Sequence, residues 1–396
     1  MKTDNAYDVI IIGAGVIGLC VAYYLSKREV EVLVLEKGFI NSGTSGACQC
    51  NVLTGTSFPG QLNDLAFGSL KEYEDFDAQF THDFDFDKSG SLLLIDQESQ
   101  LDVAADLVAK QRIKGRDVAI LENEVIRKSI APVGEDLYGG VFGRDDASLN
   151  SLKLTNSLAR EIMHCGGRLL YESEVRRIDK MRDGSFVVKT GTEDYFCEKL
   201  VNCAGVSSPK IAQMLGQSVD VTPVKGHVLV TERNNIRIGM ALREFADSYD
   251  ETDESKPTDA TFGIKFVLQP SFSDNSLIGK STEFDTVQDG VSVEIIKMLS
   301  KRAIAFVPAL GDINIIRCYV GFRPYSPDDT PIIGQSVEDS NFYYGTGHGG
   351  SGITLGPITG KLISQLIIDG KAEQDIDEFS PARFVAGNRT KDNSAH

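Results

Sequence analysis

The sequence predicts an α/β protein in which a parallel-sheet domain of βαβ type is interleaved with a second, mainly antiparallel β-sheet domain. Three observations predict it. An apolar strand pattern at Val9–Ile12 runs into a glycine turn and an apolar helix, and a second strand follows within residues 29–38. Strand and helix pieces of the same kind return near 150–215 and 340–375. Between them, from Thr222 to about Phe322, the pattern changes to alternating strands. A chain of 396 residues, 41% of them hydrophobic, also exceeds the ~250–300 residues at which single cores stop growing. The expected division is 1–80, 145–220 and 325–385 for the parallel-sheet domain and 81–144 and 221–324 for the other, with 386–396 as a frayed tail.

The elements follow in order. Val9–Ile12 is apolar throughout, as a strand covered on both faces must be. Gly13–Gly18 is the turn, Leu19–Lys27 the helix, and "EVEVLVLEKG" the next strand, ending at Glu36. Helical periodicity marks 61–80 and 97–112, with "SGSLLLID" a strand between them. An amphipathic helix begins at Ser151 and stops at Gly166–Gly167, where a strand takes over. A hairpin then leads into the buried strand "KLVNCAG". The alternating strands "PVKGHVLVTE", "TFGIKFVLQP" and "NSLIGKSTEF" are broken by a polar stretch at 247–260 that reads as a surface loop or flap. Residues 291–308 form a helix, and 341–370 a strand, a glycine turn and a closing helix.

Composition removes several classes of function. With 40 basic against 57 acidic residues the formal charge is −17, and no basic run offers a nucleic acid or other polyanion a footing. Seven cysteines include no CxxC pair, which suits reduced thiols in the cytoplasm. The CxC at Cys48 and Cys50 has no further ligands beside it, so no metal is expected and both thiols read as lining a wall. The apolar run Val9–Leu25 is as long as a membrane span, but three glycines interrupt it and "MKTDNAYD" lacks a basic lead. Neither a transmembrane nor a targeting segment is read here.

The chemistry is carried by glycines. "GAGVIG" places Gly13, Gly15 and Gly18 in a GxGxxG fingerprint between strand and helix, with Glu36 at the next strand end. Gly13 permits the turn, Gly15 lets a pyrophosphate reach the backbone, and Gly18 lets the helix pack on the sheet. The helix N-terminus offers amide donors to the phosphates, and Glu36 can accept from both ribose hydroxyls, which favours a free 2′-OH. This is a Rossmann-like dinucleotide site, for FAD or NAD. "NSGTSGAC" (41–48) adds small and hydroxyl residues, and "GTGHGGSGIT" (345–354) starts a helix whose positive end suits a ligand that becomes anionic, as a reduced flavin does.

On "DVIIIGAGVIG", Glu36, "GTSGAC", "VNCAG", "PVKGHVLVTE", "GFRPYSPDDTPIIG" and "GTGHGGSGIT", the chain resembles, over nearly its whole length, the D-amino acid oxidase superfamily of FAD-dependent oxidoreductases. That superfamily holds glycine, sarcosine and D-amino acid oxidases and bacterial hydroxyproline, proline and opine dehydrogenase subunits. The resemblance implies a Rossmann-like FAD-binding domain with an interleaved substrate domain. FAD contacts are expected at Gly13, Ala14, Gly15, Val16, Ile17, Gly18, Glu36, Lys37, Thr44, Ser45, Gly46, Gln49, Cys50, Val175, Ala204, Gly205, Gly347, His348, Gly349, Gly350, Ser351, Gly352, Ile353 and Thr354. Arg323 takes the place of the arginine that grips the substrate carboxylate, and Tyr249 and Tyr325 stand where a cap over the pocket is expected. Arg323 has an alternative reading as the partner of Asp328 or Asp329 in its own turn.

Gln49 and Cys50 depart from the Ala–Gly of many members, and Cys318 is out of register with the cysteine that carries covalent flavin in monomeric sarcosine oxidase. Non-covalent FAD is therefore expected. The implied reaction is hydride transfer from the α-carbon of an amino acid or secondary amine to flavin, giving an imine, by a dehydrogenase rather than an oxidase. Its expected partners are a small amino acid or amine substrate and an electron-transfer subunit or a second copy of the chain. Two other readings stand beside it: a flavin-holding electron-transfer subunit without amine turnover, and a nicotinamide enzyme, which would be colourless.

Overall fold

The structure, a computed structural model, describes residues 5–247, 262–284, 286 and 288–385. Tyr249, nearly all of the expected polar flap and the expected tail lie outside the described residues.

The first strand, Ala6–Ile12, lies inside an eight-stranded sheet. It pairs in parallel with Val32–Leu35 on one side and with Asp194–Asn202 on the other, so that Ile12 stands opposite both Leu35 and Asn202. Arg168–Leu170 and Phe342–Thr346 extend the parallel run outward, and Ile332–Gln335 ends it antiparallel. The absence of polar alternation in the first strand has a direct cause. Val9 and Ile11 enter one core with the helices Val16–Ser26, Ser151–His164 and Gly352–Asp369, while Ile10 and Ile12 enter a second core on the opposite face.

Two of those helices cross almost backbone to backbone. A Cβ added at Gly360 would lie 2.5 Å from the Cys20 carbonyl carbon and 2.6 Å from its Cβ. Gly360→Val is therefore expected to cost about 3 kcal/mol or more of folding stability by overpacking, read as a lowered denaturant midpoint with unchanged slope.

Among the described residues the second sheet also has eight strands, ordered Ile315–Tyr325, Thr222–Thr231, Ser276–Gly279, Val267–Pro270, Ala241–Glu244, Ser91–Ile95, Gly139–Gly143 and Val118–Leu121. All its pairings are antiparallel except that of Ala241–Glu244 with Ser91–Ile95. Helix Val293–Phe306 buries Ile295, Leu299 and Phe306 against one face, and helix Gln100–Ile113 buries Ala104 and Leu107 against the other. The α/β architecture with a parallel sheet and a mainly antiparallel one is as the sequence predicts. Differences are local. Gly139–Gly143, "GGVFG", pairs with Ser91–Ile95 although its three glycines give it little strand character of its own. The first helix begins at Val16 rather than Leu19, inside the fingerprint.

Candidate functional site

The early helix start decides where the site lies. Gly13 adopts φ +110° and passes beneath the strand end at Cys203, whose carbonyl oxygen would stand 2.5 Å from an added Cβ. Gly18 lies so close to Gly13 that its own Cβ would be 2.0 Å from the Gly13 oxygen. These two contacts press the helix onto the sheet and turn its N-terminus into a cavity of about 930 Å³. Gly15 faces that cavity in extended backbone, φ −77° and ψ 176°, with Ser45 Oγ its nearest neighbour. The Val16 amide donates to Ser45 Oγ at 3.0 Å. Glu36 is held at the strand end by the amides of Ala14 and Gly38, at 2.9 and 2.8 Å, one to each carboxylate oxygen.

The loop after the second strand links this end of the cavity to the other sheet. Thr44–Ala47 forms a short 3₁₀ turn, and Thr44 Oγ1 donates to the Phe322 carbonyl at 2.6 Å. Gly321 leaves room for Ala47, whose Cβ would be 2.6 Å from an added Cβ. Gln49 reaches further across, donating from Nε2 to the carbonyls of Val267 and Leu277 at 3.2 and 3.3 Å. The strand carrying Arg323 thus abuts the loop that follows the fingerprint.

Arg323 pairs with Val224 across the ladder, and its Nη1 donates to the Ser281 carbonyl at 2.9 Å. The guanidinium lies over Gly226, where an added Cβ would meet Nη2 at 2.5 Å and Cζ at 2.8 Å. Glycine at 226 is the space the cation occupies. Asp328, one of the two intraturn partners considered for Arg323, is instead gripped by Arg383 through Nε at 2.7 Å and Nη2 at 3.1 Å. On the same wall, His348 is buried, with Nε2 3.0 Å from Thr359 Oγ1, and burial pushes its pKa down to about 3. It stays neutral at neutral pH.

Among the predicted residues, Gly13, Gly15, Val16, Ile17, Glu36, Lys37, Thr44, Ser45, Gln49, Cys50, Val175, Ala204 and Gly205 line this cavity. So do Arg323, Tyr325, His348, Gly349, Gly350, Ser351, Gly352, Ile353 and Thr354. Four predicted contacts stand behind the wall. Ala14 is fully buried. Gly18 packs helix on turn, as above. Gly46 lies against Asn41, whose carbonyl oxygen would be 2.1 Å from its Cβ, and Gly347, at φ +71°, turns the chain against Ile332 and Ser326. Their small size shapes the wall from the rear.

The cavity also holds residues that the motifs do not mark: Asn51, Ser173, Arg243 and Lys280. A signal for Arg243 exists in "ALRE", two adjacent charges in a strand that is buried throughout. Its neighbour Glu244 is met by Arg302 Nε at 2.7 Å, and Arg302 also reaches Asp96 at 3.0 Å. Among the described residues no cluster of three or more His, Cys, Asp or Glu side chains could hold a metal, and no helix is long and apolar enough to cross a membrane.

The wall suits a bound dinucleotide on three observations. The cavity is near the upper end of the roughly 300–1,000 Å³ usual for ligand sites. Helix amides, hydroxyls and a strand-end carboxylate stand together at one end, and Glu36 keeps acceptor capacity after its two backbone bonds. Asn51 Oδ1, buried on the wall, has no hydrogen-bond partner among the described residues.

Comparison with known proteins agrees with that geometry. The chain is similar to the bifunctional protein ThiO/ThiG of Synechocystis, 28% identical over 97% of this chain but only 55% of that protein. It is also similar to the hydrogen cyanide synthase subunit HcnC of Pseudomonas aeruginosa, 25% identical over 96% of this chain and 97% of that one. The crystal structure of glycine oxidase from Geobacillus kaustophilus shares the fold, with a TM-score of 0.84 at 24% identity over 95% of this chain and 98% of that one. By name, other relatives are a glycine oxidase, a sarcosine oxidase subunit and dimethylglycine dehydrogenases. The sequence profile described as FAD dependent oxidoreductase matches residues 8–366. With the fingerprint, the cavity and that match over most of its length, the chain belongs to the DAO family of FAD-dependent oxidoreductases.

Proposed function

We propose that the chain holds FAD non-covalently in this cavity and oxidises an amino acid or secondary amine at its CH–NH group, with Arg323 gripping the substrate carboxylate. The observation that carries the reading is the Arg323 guanidinium on the cavity wall, fixed by the Ser281 carbonyl and lodged on Gly226. When bound, FAD supplies a two-electron acceptor that takes hydride from the substrate α-carbon.

The remaining work falls to the chain. The fingerprint amides, Ser45 and Glu36 hold the pyrophosphate and ribose, and the N-terminus of the helix Gly352–Asp369 points its partial positive charge into the cavity. A planar guanidinium takes a carboxylate bidentately and so fixes the direction of the neighbouring carbon. Tyr325 lies on the same wall and caps the substrate. No base is required if the amine enters neutral, which accords with a His348 whose basicity burial lowers.

Gly226→Ala tests the anchor without removing it. The added methyl displaces the guanidinium, and kcat/KM for carboxylate substrates is expected to fall at least tenfold, a loss of ~1.4 kcal/mol or more, with FAD content unchanged. Unaltered kinetics would show that the guanidinium's seat has no part in binding.

Electron transfer to an acceptor other than oxygen is supported by relatives that are dehydrogenases by name, beside others that are oxidases by name. Relatives that are subunits by name keep a second reading beside it, a flavin-holding electron-transfer subunit without amine turnover. Anaerobic stopped-flow absorbance separates the two. Mixed with glycine, sarcosine, D-amino acids, proline, hydroxyproline and opines, the yellow protein should bleach rapidly with at least one and reoxidise slowly in air. Failure to bleach with all of them would leave the electron-transfer reading.

A further inference from the structure

The thiols of Cys48 and Cys50 have no part in the proposed reaction. Their sulfurs stand 3.5 Å apart, and both residues line the cavity that holds Gly15, Glu36 and Arg323. Cys50 adopts φ +64°, a left-handed conformation that a non-glycine residue seldom takes, and its carbonyl accepts from the Leu149 amide. Cys48 is fixed from its other side. Its thiol donates to the Ser45 carbonyl at 3.0 Å and its own carbonyl accepts from Tyr319 Oη at 3.3 Å.

The two thiols are not equivalent. The hydrogen bond with Cys48 lowers the Cys50 pKa, burial opposes it, and the hydroxyl and amide of Ser151, in the first turn of helix Ser151–His164, lower it further, to about 7. The same contact with Cys50, together with burial, pushes Cys48 up. The shared sulfur–sulfur contact thus favours loss of one proton from the pair, as suits a dithiol that exchanges electrons. The other buried cysteines differ: Cys20, Cys197 and Cys203 are raised chiefly by burial. Bonding requires the sulfurs to close from 3.5 Å to about 2.05 Å. A metal is not the better occupant, because no third ligand joins the pair among the described residues.

We propose that Cys48 and Cys50 are a redox-active dithiol that exchanges two electrons with the flavin in the shared cavity. The proposal rests on the reading that FAD binds there. In the oxidising direction the two S–H bonds break, one S–S bond forms, and two electrons and two protons pass to oxidised flavin. In reverse, reduced flavin opens the disulfide and regenerates both thiols. The cavity then stores a second electron pair beside the cofactor, available to a disulfide-type acceptor outside it.

The test uses the FAD-loaded protein treated with diamide, freed of diamide and made anaerobic. The tryptic peptide Gly38–Lys71 should then be lighter by two hydrogens and resist alkylation. Light with EDTA next reduces the flavin, and both thiols should become alkylatable as the yellow colour bleaches. In protein stripped of FAD the disulfide should survive the same illumination, and Cys48→Ser and Cys50→Ser should never lose the two hydrogens. Full alkylation of the wild type after diamide overturns the proposal, as does a disulfide that persists beside bleached flavin. Protein that binds no FAD would instead refute the cofactor reading, and absorbance shows this before any thiol is counted.

Discussion

Arg323→Ala is expected to retain FAD and lose about 30- to 1,000-fold in kcat/KM toward carboxylate substrates, the kinetic equivalent of ~2–4 kcal/mol of charge-assisted binding. The loss should fall mainly on KM if the guanidinium grips ground state and transition state alike, and on kcat as well if it aligns the α-carbon. An amine lacking the carboxylate should be nearly indifferent to the substitution, and that contrast distinguishes an anchor from a structural arginine. Arg323→Lys should recover only part of the activity, since an ammonium cannot present the planar fork. The stability of the variant is expected to change little, because the side chain lies on a cavity wall rather than in a core.

Gly15→Leu should yield a colourless protein that folds but takes up no FAD. The extended backbone at Gly15 is open to any residue, and only Ser45 Oγ lies within 4 Å of an added Cβ. The chain can thus accept the side chain, whereas a pyrophosphate approaching the backbone cannot. The contrast is measurable by thermal shift. The wild type should gain about 2.7 kcal/mol with FAD at a hundred times its Kd, and the variant nothing. Full FAD occupancy in Gly15→Leu would place the phosphates elsewhere.

The parts of the molecule most legible in the sequence are those whose physical cause is local. Two-faced burial leaves Val9–Ile12 and Val32–Leu35 without polar alternation, and close backbone approach demands glycine at 13 and 18. Arg323 is conspicuous as a fixed charge between Phe322 and Pro324 in an acidic chain. What local pattern does not contain is contact across the chain. Gly226 reads as one glycine among 38, and only the ladder that sets Val224 opposite Arg323 shows that it seats a guanidinium. Arg243 and Lys280 come to the cavity through sheet order, from strands or strand ends that no fingerprint marks. Motifs record residue type and so do not separate Gly46 and Gly347, behind the wall, from the residues that line it. Their smallness serves packing behind the wall. The CxC pair is plain in the sequence, but the mutual contact that gives it chemistry belongs to the folded loop.

The most direct test of the central claim is a crystal structure of the FAD-loaded protein with an amino acid, or an unreactive carboxylate analogue, bound. The carboxylate is expected in bidentate contact with the Arg323 guanidinium, the α-carbon facing the flavin ring, and the pyrophosphate at the backbone of Gly15. A ligand carboxylate held elsewhere, with Arg323 turned out of the cavity, would contradict it.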